Sequence, residues 1–110
     1  MSSNTLPNER MKASNLFTAK PSGAYTAQVG AQNYMDLVVE YIDPAANATC
    51  TIPDGKFQGQ EIIVSLSSND NSKTITVGYN ATSAALTAAG DVVLLKWCGA
   101  DWQLLVDITT

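Results

Sequence analysis

Apolar residues recur at every second position through most of this chain, and that spacing restricts what it can become. In residues 34–42 the odd positions Met35, Leu37, Val39 and Tyr41 are all apolar, while the even positions include Asp36 and Glu40. Met35, Val38, Val39 and Ile42 also align at helical spacing, but the β-branched and aromatic content favours a strand. Ala48, Cys50 and Ile52 alternate with Thr49 and Thr51, and Pro53-Asp54-Gly55 then makes a turn. Ile62, Val64 and Leu66 alternate with polar residues, as do Ile75, Val77 and Tyr79, and the turn-rich stretch SSNDNSK lies between them. Residues 80–90 are small and Ala-rich and fit a loop, a short strand or a helical turn. Strands over 91–97 and 102–108 close the chain. The expectation is an all-β domain over residues 24–110, a small antiparallel sandwich or barrel.

Residues 1–23 break the alternation. They are polar, with isolated apolar positions at Leu6, Met11, Leu16 and Phe17, and Pro7 could open a helical turn over 7–13. This segment reads as an arm that gains order on a partner surface, with those four residues as anchors.

The charge is uneven. Arg10, Lys12 and Lys20 against Glu9 give residues 1–23 a net +2, whereas the remaining residues carry −6. An acidic body argues against a nucleic-acid binder, which needs clustered Lys and Arg against phosphate. No apolar run approaches the ~20 residues needed to span a bilayer. The first residues, MSSNTLPNERMK, have no apolar core of a signal peptide, so synthesis in the cytoplasm is expected.

The stretch LLKWCGADWQLL, residues 94–105, concentrates both tryptophans and one of the two cysteines. A two-residue turn at Gly99-Ala100 pairs Trp97 with Trp102, Leu95 with Leu104, Val93 with Val106 and Leu94 with Leu105. One face then collects Val93, Leu95, Trp97, Trp102, Leu104 and Val106 and is expected in the core. The other carries Val92, Leu94 and Leu105 beside Lys96, Gln103 and Asp107. A strand pair apolar on both faces points to a subunit interface at Val92, Leu94 and Leu105.

Catalytic groups are scarce. The chain contains no histidine, which removes the usual activator of a cysteine or serine nucleophile. Two cysteines without histidine leave too few soft ligands to favour a zinc site. A Cys50–Cys98 disulfide stays open beside two free thiols. Asn69-Asp70-Asn71 lacks the Gly and Glu spacing of a calcium loop, and Asp36 with Glu40 or Asp43 reads as the wet face of a strand rather than a glycosidase pair.

Residues 49–63 read TCTIPDGKFQGQEII and residues 89–106 read AGDVVLLKWCGADWQLLV. Ile52-Pro53, Gly55, Gly59, Gly90-Asp91, Trp97, Gly99 and Trp102 together resemble a pattern of small β modules in tailed-bacteriophage virion proteins. Such modules occur in capsid decoration (cement) proteins, head fibres and tail fibres, and are commonly trimeric. The resemblance implies a homotrimer on the capsid surface, bound to the major capsid protein, with no cofactor, small-molecule substrate or catalysis. A fibre, spike or tail-adaptor subunit that recognises a host is the alternative.

Overall fold

A computed structural model describes residues 16–30 and 34–109. Among these residues there is no helix; the elements are nine strands, β1 (Leu16–Ala19), β2 (Tyr25–Thr26), β3 (Asp36–Ile42), β4 (Ala48–Thr51), β5 (Glu61–Ser68), β6 (Ile75–Tyr79), β7 (Thr82–Leu86), β8 (Asp91–Trp97) and β9 (Trp102–Ile108). The all-β expectation holds. The stretch left open at 80–90 contains β7, and its turn is tight because Asn80 and Ala81 take φ of 49° and 59°, as a mirror-image hairpin turn requires.

The strands form two sheets, ordered β1-β3-β5-β8-β9 and β2-β4-β6-β7. These sheets are mixed, which corrects the antiparallel expectation. The pairs β1/β3, β3/β5, β2/β4 and β4/β6 are parallel. Parallel neighbours need a long crossover between them. Here the crossover is a strand of the other sheet, so the chain alternates between sheets from β1 to β6. Tyr25 lies beside Cys50 and Asp36 beside Glu61, so one turn of this coil takes about 25 residues. Antiparallel hairpins β6/β7 and β8/β9 end the coil, and β8 also pairs with β5.

The inward positions of both sheets share one core. Leu37, Val39, Tyr41, Ile62, Val64, Leu66, Val93 and Leu95 come from the first sheet, and Cys50, Ile75, Val77 and Leu86 from the second. All are essentially excluded from water, and apolar burial of this kind is the main stabilising term of a small domain. The polar groups inside are fully bonded. Buried Gln60 accepts from the Lys56 and Phe57 amides and donates to the Val29 and Tyr34 carbonyls. Buried Asp91 accepts from the Thr87 and Ala88 amides and so fixes the turn before β8.

Leu16 and Phe17, expected in the arm, lie in β1 at an edge of the five-stranded sheet. Phe17 packs on the protein's own core and stacks on Tyr34 with ring centroids 5.7 Å apart, while Leu16 is exposed. Leu6, Met11 and the possible helical turn over 7–13 lie outside the described residues.

Candidate docking surface

The β8/β9 hairpin begins as its sequence dictates. Gly99 has φ of +99°, the Cys98 amide donates to the Asp101 carbonyl, and Trp97, Lys96 and Leu95 face Trp102, Gln103 and Leu104. The tryptophan rings meet edge-on with centroids 5.4 Å apart. The other residues of the sequence pattern gather around them. Trp102 Nε1 donates to the Pro53 carbonyl at 2.8 Å, the Gly59 amide donates to the Trp97 carbonyl, and Gly55 lies directly beneath the Trp97 ring. Asn80 holds the backbone of Trp102 from the opposite sheet, donating to its carbonyl and accepting from its amide.

Beyond Leu104 the pairing departs from expectation. A bulge places Leu105 between the pairs Leu95/Leu104 and Leu94/Val106, so Val93 faces Asp107 and Val92 faces Ile108. An extra residue moves every later side chain to the opposite face. Val106 therefore joins the outer face instead of the core. Leu104 stays on the row of Leu95 but is 39% exposed, although it was expected to be buried. The cause is a missing layer. The four-stranded sheet ends at β7, which contacts β8, and every β9 residue after Trp102 is exposed.

The outer face of the five-stranded sheet carries three rows. Thr18, Val38, Ile63, Leu94 and Val106 form a largely apolar one. Beside it run Glu40, Ser65, Val92 and Ile108. On the other side run Leu16, Asp36, Glu61, Lys96 and Gln103. Val92 and Leu94 are half-buried on this face and Leu105 is exposed at the bulge, so all three expected interface residues border the same surface. Sequence reading missed Val38, Ile63, Val106 and Ile108 as its further members. For Val38 and Ile63 the available signal was an apolar residue at a position where the alternation calls for a polar one.

Charges on this face are mostly committed. Glu40 accepts from Lys20 at 2.7 Å and from the Ser67 hydroxyl, and these bonds hold its carboxyl below the usual range. Glu61 lies 3.6 Å from Lys96. Asp36 is pushed above the usual range by partial burial and by the neighbouring Glu61. Asp43 accepts from the Ser68 hydroxyl and the Asp70 amide and is held low by them, with the amide bond first in effect.

The remaining sequence candidates have structural surroundings. Cys50 is buried in the core and its thiol is pushed up to about 12 by desolvation, while Cys98 is exposed at the hairpin turn. Both thiols are free in this structure. Asn69 donates to the Lys73 and Thr87 carbonyls and accepts from the Lys73 amide, so this loop is knitted by its own side chain. Among the described residues no group of acidic or cysteine side chains is placed to hold a metal ion. A shallow depression of about 500 Å³ beside the β9 start is lined by Asn80, Cys98, Asp101, Trp102, Gln103 and Leu104, among others.

No family model and no curated protein matches the chain. Among solved structures, a fragment of enterohemorrhagic E. coli StcE, residues 132–251, superposes with a TM-score of 0.55 at 14% identity, covering 78% of this chain and 88% of the fragment. At that identity the likeness is one of fold.

Proposed function

We propose that this chain is a capsid decoration protein of a tailed bacteriophage, a trimeric binding module that adds contacts across the capsid surface and performs no chemistry. The observation that carries the reading is the outer apolar row Val38, Ile63, Leu94 and Val106, continuous with the uncovered strand β9. Exposed contiguous apolar surface of this kind marks a site of association. The resemblance to phage virion modules supplies the kind of assembly, and of its residues Pro53 bonds Trp102 while Gly55 and Gly59 lie against Trp97, with the two tryptophans in contact.

In this reading Val92, Leu94 and Leu105 border the subunit contact, and the arm anchors Leu6 and Met11 engage the major capsid protein. Three arms on one trimer act together, so each loss of one contact is followed by rebinding before the trimer departs.

The test is sedimentation of the purified protein with undecorated phage capsids. Co-sedimentation and a higher melting temperature of the shells are expected, with both effects lost in the double variant Leu6→Ser/Met11→Ser. If the full chain fails to co-sediment and binds host cells instead, it belongs to a fibre, spike or adaptor and the decoration reading is wrong.

A further inference from the structure

Charged side chains flank the outer apolar row, and their pairing is uneven. On one flank Lys20 lies 2.7 Å from Glu40, which also accepts from the Ser67 hydroxyl. On the other flank Lys96 lies 3.6 Å from Glu61. Each of these lysines thus has a carboxylate of its own. Asp36 stands beside Glu61 and forms no ion pair among the described residues.

The strand register sets this arrangement. Asp36 and Glu61 are direct partners across β3 and β5, so two like charges stand one strand spacing apart. Lys96 is the partner of Glu61 on the far side, in β8. It is therefore two strand spacings, about 10 Å, from Asp36. From β1 the neighbour of Asp36 is Leu16, which is apolar. Along β3 itself Val38 comes between Asp36 and Glu40. Tyr34, just before β3, has its ring stacked on Phe17. The Asp36 carboxyl accordingly sits above the usual range in the single chain, raised by partial burial and by Glu61.

Covering this face would change the three carboxylates differently. Glu40 and Glu61 each take a counter-ion into the contact. Asp36 loses water and gains none, and an unpaired carboxylate in that position is neutralised at lower cost by a proton than it is kept charged. Its proton affinity is then higher in the assembly than in the free chain. The stability this adds to the contact is fully present below the free-chain value. It is lost as pH rises through the value in the assembly.

We propose that association through this face is proton-linked at Asp36, so that the contact between copies of the chain takes up a proton there and tightens in mildly acidic solution. The inference rests on the reading of this face as the subunit contact. It adds a regulatory role for a residue outside the apolar row.

Sedimentation velocity of the full chain at about pH 7.5 and about pH 5 tests it. The wild-type association constant should rise by roughly tenfold or more as pH falls, since each covered Asp36 contributes up to about tenfold per pH unit. Asp36→Asn should associate more tightly than wild type at about pH 7.5 and show little further gain at about pH 5. Asp70→Asn removes the same charge from an exposed position in the loop between β5 and β6 and should keep the wild-type pH dependence. A tightening caused only by falling net charge would persist in Asp36→Asn, and that result would overturn the linkage. So would a wild-type trimer of equal affinity at both pH values. A wild-type chain that is monomeric at both would overturn the reading of the face and this inference with it. Circular dichroism at each pH checks the fold. If the wild type unfolds at about pH 5, the comparison at about pH 7.5 decides, and an Asp36→Asn variant no tighter than wild type there overturns the proposal.

Discussion

A Cβ on Gly55 would stand 2.3 Å from Cγ of Trp97. The loop after β4 thus passes so close to the end of β8 that the indole takes the place a side chain would need. Gly55 is there for space, since it is not among the glycines with positive φ. Gly55→Ala should cost about 1–3 kcal/mol through overpacking, a fall in melting temperature of at least about 4 °C for a domain of this size. Thermal unfolding followed by Trp fluorescence reads both the loss and the disturbed indole pair. An unchanged melting temperature would mean that the ring is not held against this loop.

The β6/β7 turn holds an unused reserve. Ala81 has φ of 59°, a left-handed conformation that a side chain disfavours by about 1–2 kcal/mol. Ala81→Gly should therefore raise stability by about 1 kcal/mol, provided Asn80 keeps its two bonds to Trp102. Chemical denaturation should show a higher midpoint at an unchanged slope. Asn80→Gly should move the midpoint the other way, because it keeps the turn and removes the clamp.

Asp36 supplies a pH signature. Its carboxyl is held above the usual range by burial and by Glu61. The folded protein thus favours the protonated form, and the stability this brings is present at low pH and lost as pH rises through the folded value. Asp36→Asn should raise the melting temperature at pH 7 and give no gain near pH 3. A gain of equal size at both values would show that charge is not the cause.

The two thiols should differ in reactivity. A water-soluble thiol reagent should label one cysteine in the folded protein, Cys98, and label Cys50 only in denaturant, since Cys50 is fully buried and its thiol is pushed up to about 12. Rapid labelling of both without denaturant would mean that the core opens readily.

The hairpin shows how far alternation can be read. Trp97 faces Trp102 and Leu95 faces Leu104 as their spacing from Gly99 requires. The register then slips at Leu105, because a Leu-Leu-Val run is apolar in either phase and carries no mark of the extra residue. Leu104 faces inward but is not covered, since its burial depends on where the other sheet stops. Parallel pairing was hidden for a related reason. A turn such as Pro53-Asp54-Gly55 reverses the chain equally well within a sheet or across to the opposite one, and only the partner strands decide. β7, built of Thr, Ser and Ala before its single Leu, had too little hydrophobic contrast to be recognised. On the outer face, Val92, Leu94 and Leu105 stand out in the sequence because apolar residues lie where the alternation calls for polar ones.

The coil also makes most of the sheet pairing long-range in sequence. Every parallel pair joins segments about 20 to 27 residues apart in sequence, so each requires a long loop to close before it brings any stabilising contact. Among the described residues, the neighbouring strands that pair across a short turn are β6 with β7 and β8 with β9, both in the last third of the chain. A chain cut short before Asp91 lacks both the β8/β9 hairpin and the strand that flanks β5.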